Sequence, residues 1–361
     1  MVVSVPAHPL FRLPFLLLGI ICLIAGVLAG LARLDINVPP MMAERSALHS
    51  VLMISGFFGT VISLERAVAS GKAWAYLGPL LSGLGGLSLL FSQFASISPI
   101  LFTAAALCFA VTSILVLIRQ PALYTAILLV GTLLWLLGNT LWLSDGIAWA
   151  TIPYGLSFLV LTIAGERLEL TRFLPPRRYA RALFLLITAL IVVGTLISGQ
   201  SLFIRNEGLG VGYAALAVWL IQYDIARKTI RKSGITRFVA ICLLSGYLWL
   251  LVGGLLSTDL WGLGPFQRDA SIHAVALGFI FAMVIGHAPI IFPAVMRVRI
   301  PFSLMFYLPL GLIQVGVGFR LLAALLSDSV LRETGAVINA LAILAFFVTL
   351  ISQVIRGLRQ P

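Results

Sequence analysis

The histidines are where this sequence could hold chemistry. There are four in 361 residues: His8 in the N-terminal tail, and His49, His273 and His287 in apolar surroundings. The run "SIHAVALGFIFAMVIGHAPIIF" (271–292) carries two of them, fourteen residues apart. Fourteen residues of α-helix rise about 21 Å and return to within about 40° of the starting face. His49 opens a similar run, "HSVLMISGFFGT". A neutral imidazole on each of two facing helices is the arrangement that ligates a haem iron axially. The expectation is therefore that His49 and His273, at the same ends of two membrane helices, hold one haem b. A two-haem stack is excluded, because the residue fourteen after His49 is Ser63 and His287 has no histidine counterpart.

A second group lies one helix length further on. Aligning the segments "SGFFGTVISLERAV", "SFLVLTIAGERLEL" and "ALGFIFAMVIGHAPII" superposes Glu65, Glu166 and His287, and also Gly56 and Gly278. A histidine and two carboxylates could form a small metal site or a proton relay, and Glu65–Arg66 and Glu166–Arg167 also read as side chains reaching an interface. Pro289 and Pro293 are expected to kink the helix beyond His287 and free backbone carbonyls. Arg320 in "GVGFRLLAAL" is the first candidate to meet a haem propionate, with Arg45 the second. Asp224 is expected to pair with Arg227 or Lys228. Asn139 and Gln314 are expected to cross-link helices.

The elements that must position these residues are membrane helices. The chain is 61% hydrophobic and 10% charged, with a mean hydropathy of +1.11. Soluble domains carry about 25% charged residues. Apolar runs near 12–33, 46–69, 74–95, 98–118, 122–143, 148–170, 180–198, 208–227, 237–257, 270–295, 302–325 and 333–355 predict twelve spans. The prediction is one all-α transmembrane domain over 1–361, with internal four-helix units near 1–118, 119–232 and 233–361. With both termini on one side, that side holds 18 of the 24 Lys and Arg residues. The positive-inside rule then puts both termini in the cytoplasm, in a cell's inner membrane. The net charge of +12 follows from this asymmetry and from headgroup attraction at "RRYAR" and "ARKTIRKSG", so no nucleic-acid partner is needed. Cys22, Cys108 and Cys242 lie inside apolar runs without metal-ligand spacing and read as packing residues.

The pattern resembles subunit I of the haem–copper oxidases, where three four-helix arcs surround the centre and a haem hangs between helices 2 and 10. It is closer to the NnrS family, compact relatives associated with nitric oxide metabolism and reported to bind haem and copper. "LHSVLMISGFFGT" and "HAVALGFIFAMVIGH" are similar in character to that family's His-led spans. The resemblance implies pseudo-threefold arcs, His49 and His273 as haem ligands, Arg320 as a propionate partner, copper as a second metal, and nitric oxide as the gas handled. Span 6 offers Glu166 and Glu169 and no histidine, so the ligands of an O₂-reducing copper centre are missing.

Three functions stand as expectations. The first is a haem-b membrane protein of nitric oxide metabolism or stress response. The second is an ion- or proton-coupled transporter using Glu65, Glu166 and His287 as its relay. The third is a structural or assembly factor.

Overall fold

The computed structural model describes residues 9–173, 178–198 and 207–359. His8, Arg177 and Arg205 lie outside the described residues. Among the described residues every regular element is helical. The principal helices are α1 (Leu13–Ala32), α2 (Ser46–Ser70), α3 (Leu77–Ser88), α4 (Ser98–Arg119), α5 (Leu123–Asp145) and α6 (Thr151–Leu170). They continue as α7 (Ala180–Ser198), α8 (Glu207–Tyr223), α9 (Gly234–Leu256), α10 (Gln267–Met296), α11 (Tyr307–Leu326) and α12 (Ser329–Arg359). Local signals set several ends. Prolines sit in the first turns of α1 and α4, where the missing N–H costs nothing. Gly71 and Gly146 end α2 and α5 with φ of 62° and 72°, the left-handed cap glycine adopts without strain.

Ten of these helices are long and apolar enough to cross a membrane. The other two predicted spans are helices that fall short. In place of 74–95, a 12-residue α-helix follows a 3₁₀ turn at Ala73–Tyr76 and ends at Ser88. Four glycines in "LGPLLSGLGGLS" weaken its helical propensity, and the six residues Ser92–Ile97 wind as 3₁₀. In place of 208–227, α8 has 17 residues. Outward-facing apolar side chains are abundant, including Ile118 (70% exposed), Leu186 (67%) and Leu326 (67%). Apolar surface on this scale is stable against lipid rather than water. The protein is a multi-pass, all-helical membrane protein.

The chain divides into two compact units near Gly165/Glu166. In the first, α1 packs on α2 and α3, α3 on α4, and α4 on α5. In the second, α7 packs on α8, α8 on α9, α9 on α10, and α11 on α12. Each unit contains one helix interrupted by a π-helical segment: Leu52–Phe58 in α2 and Ala274–Phe281 in α10.

Candidate functional site

The two π segments begin just after the two predicted ligands. His49 stands three residues before Leu52, and His273 immediately precedes Ala274. π-helical turns are rare and cluster at functional sites, because the i→i+5 bonds take up an extra residue and re-aim what lies beside them.

In the first unit, His49 turns its ring toward α1. Its Nδ1 lies 2.6 Å from the carbonyl oxygen of Gly26. A carbonyl only accepts, so Nδ1 carries the proton and Nε2 carries the lone pair. Glycines on α1 make this approach possible: a Cβ at Gly30 would fall 2.7 Å from His49 Nδ1. An apolar cluster of Ala25, Ala29, Val51, Leu52 and Trp142 packs around the same turn. The π segment beyond it is pinned by polar side chains. The Ser82 hydroxyl donates to the Ser55 carbonyl at 2.6 Å. The Trp135 indole donates to Ser55 Oγ at 3.0 Å, and Ser55 Oγ donates to Asn139 at 3.3 Å. Asn139 thus links α5 to α2, as expected.

In the second unit, His273 Nδ1 donates to the Asp269 carbonyl at 2.8 Å, and the Asp269 carboxylate stands 3.4 Å from the same nitrogen. Again Nε2 is left as the basic nitrogen. Asp269 Oδ2 accepts from Arg320 Nη1 at 2.7 Å, and Arg320 Nε donates to Asn339 at 3.3 Å. Arg320 is buried, with its side chain 7% exposed. A second arginine, Arg332, lies over the Phe266 ring at 4.5 Å and acts electrostatically on Asp269. Here too the π segment is braced: Gly278 admits Trp249 against the backbone, and the Trp249 indole donates to Gln314. Gln314 therefore links α11 to α9.

Haem is the group to weigh against this geometry. Taken singly, each imidazole has the form of a haem ligand, with Nδ1 anchored on a carbonyl. Arg320 does not fit the propionate role. Its expected carboxylate partner is supplied by the chain itself, through Asp269. Arg45 fits better: it stands four residues before His49, and its Nε is buried with no hydrogen bond among the described residues. Asp269 and Arg45 thus hold equivalent places, one turn ahead of a histidine and its π segment.

The inner group assembles differently from the expectation. Among the described residues no set of three or more His, Cys, Asp or Glu side chains is placed to hold a metal ion. Glu65, Glu166 and His287 therefore supply no three-ligand metal site. Glu65 belongs to the first unit, and Glu166 and His287 to the second. His287 Nδ1 donates to the Met283 carbonyl at 2.8 Å, and α10 runs through Pro289 and Pro293 to Met296. Its charged neighbour is Arg167. Arg167 Nε lies 4.0 Å from Asp224 Oδ2, with both side chains under 10% exposed. Asp224 also accepts from the Ala226 N–H at 2.6 Å, capping the short helix after α8. It does not pair with Arg227 or Lys228: its side chain points into the unit, toward Arg167 and the fully buried Tyr247. Asp224 Oδ2 and the Tyr247 hydroxyl make no regular hydrogen bond among the described residues.

Sequence reasoning missed Asp269 and Tyr247, and read Arg167 only as an interfacial side chain beside Glu166. The i, i+4 spacing of Asp269 and His273 in "DASIH" was the available signal. No sequence feature pointed to Tyr247. The three cysteines are free, and Cys22 and Cys242 are buried in helix contacts.

Fold and site together define an integral membrane protein with a histidine at the head of a π turn in each of its two units. The chain belongs to the family described as a domain of unknown function, DUF8744, whose model matches residues 12–355. Comparison with curated proteins returns no match.

Proposed function

We propose that this is a membrane haem-b protein whose iron His49 and His273 would hold. The observation that carries this reading is the shared construction of the two histidines: Nδ1 held on a main-chain carbonyl, and a braced π segment directly after. Bound in this way, the haem supplies a one-electron couple. The Asp269 carboxylate would orient the His273 ring, and Arg45 would offer a cation to a propionate. Resemblance to NnrS-type proteins supplies the substrate class, nitric oxide. The reading includes twelve membrane crossings with both termini cytoplasmic in the inner membrane. This rests on the Lys and Arg asymmetry.

The test is an absorption spectrum of the purified protein expressed with ample haem. The expected result is a six-coordinate low-spin spectrum that is lost in both His49→Ala and His273→Ala. A colourless wild-type protein, or a spectrum indifferent to either substitution, overturns the reading.

A second reading, proton- or ion-coupled transport, is favoured by the buried Arg167, Asp224, Tyr247 and His287 group, in which one carboxylate faces a guanidinium and a phenol. It relies on Asp224 rather than Glu65 and Glu166. Ion flux into proteoliposomes that is lost in Asp224→Asn would support it.

A further inference from the structure

From Ala73 to Ile118 the chain carries no charged residue. That stretch contains α3, α4 and the turn joining them, at the end of the two helices away from Lys72 and Arg119. The turn is wound as 3₁₀ helix over Ser92–Ile97. With three residues per turn, side chains three apart stand one above another, so the segment has three rows. Phe91 at the cap, Phe94 and Ile97 form the first, and they are 46%, 51% and 43% exposed. Gln93 and Ser96 form the second, also exposed. The third starts at the exposed Ser92 and turns into the protein: Ala95 packs on the apolar cluster that includes Leu89, Leu90 and Phe102, and the buried Ser98 hydroxyl shares a 2.7 Å hydrogen bond with Ser88. One row is apolar, one is polar, and one is held by the fold.

We infer that this 3₁₀ turn is an interfacial anchor, with Phe91, Phe94 and Ile97 seated among lipid acyl chains just below the headgroups and Gln93 and Ser96 at the headgroups. The apolar row runs on into the exposed apolar face of α4, through Ile100, Leu107, Val111, Ile114 and Ile118, a surface suited to lipid. The backbone meets the demand of such a place. The N–H groups of Leu90, Phe91 and Phe94 donate to the carbonyls of Leu87, Ser88 and Phe91 at 3.1, 3.2 and 3.0 Å, as main chain near hydrocarbon requires. Length points the same way. The 12 residues of α3 rise about 18 Å, and the four-residue 3₁₀ turn before it adds about 8 Å. The sum falls short of a hydrocarbon core of about 30 Å, so the aromatic row carries the apolar contact the rest of the way. The inference is independent of haem binding.

The test is a nitroxide scan of the full-length protein in phosphatidylcholine proteoliposomes. Cys108→Ala removes the cysteine that is not buried, and Gln93→Cys, Phe94→Cys, Ser96→Cys and Ile97→Cys are labelled one at a time. The labels at 94 and 97 are expected to be relaxed by molecular oxygen, which concentrates among acyl chains, at a depth of about 5–10 Å below the headgroups. The labels at 93 and 96 are expected to be relaxed by a water-soluble nickel chelate. If Phe94→Cys does not fold, the Ser96 and Ile97 pair decides. Nickel access at all four positions would place the turn in water, and labels at 94 and 97 shielded from both reagents would place a protein over the row. Either result, or loss of the three-residue period, overturns the inference.

Discussion

Asp269 stands between Arg320 and His273, 2.7 Å from the guanidinium and 3.4 Å from the imidazole Nδ1. One carboxylate therefore neutralises a buried arginine and steadies a predicted ligand. Asp269→Ala is expected to leave Arg320 buried without a counter-charge. The cost is about 1–3 kcal/mol, below the value for a fully buried pair because the Asp269 side chain is 25% exposed. Thermal unfolding in detergent measures it, and Asp269→Ala/Arg320→Met is expected to recover part of the loss.

The same carboxylate tunes His273. Asp269→Asn keeps the side-chain shape and removes the charge beside the ring. Haem affinity is expected to fall about 10–100-fold, read by competition with apomyoglobin. A variant with wild-type affinity would mean the backbone carbonyl alone sets the ring.

On the other unit, Gly30→Ala tests the seat of His49. The new methyl would meet Nδ1 at 2.7 Å, so the ring must leave the Gly26 carbonyl. Overpacking of this kind costs about 1–3 kcal/mol. The expected signature is a weakened and shifted Soret band, whereas Gly311→Ala, on an open face of α11, leaves the spectrum unchanged.

Arg167 and Asp224 call for a double-mutant cycle. Asp224→Leu or Arg167→Met alone leaves one buried charge and is expected to cost about 3–5 kcal/mol. The double variant is expected to be more stable than either single one, because the 4.0 Å separation gives the pair modest attraction to offset desolvation. Additive losses would contradict this.

Ser82→Ala removes the donor to the Ser55 carbonyl. The expected loss is about 0.6–2 kcal/mol, with faster amide exchange confined to the π segment of α2.

Much of the fold was legible from residue types, and the reasons are physical. Hydrophobic runs locate helices because the bilayer demands length, so each predicted span contains one. Asn139 and Gln314 declared themselves as cross-links because an amide in an apolar run needs a partner. Composition did not show that glycines hold the regular part of α3 to Leu77–Ser88, or that Arg320 meets Asp269 within the chain. The π segments were illegible, since hydrogen-bond register leaves no mark in composition. Their effect on spacing is large. Each extra residue turns the downstream part of the helix by about 100°, so fourteen residues no longer return His287 to the face of His273. His273 meets Asp269 beside α11, while His287 faces Arg167 at the end of α6.

That register change in α10 also sets a trade-off. A chain shortened by one residue within Ala274–Phe281 could close an unbroken α ladder and gain in backbone bonding what the wider turn forgoes. Its cytoplasmic half would then rotate as a block, and every side chain from Ala282 onward would face a different neighbour. Natural selection would have to keep the costlier helix for as long as the two ends of α10 serve different tasks.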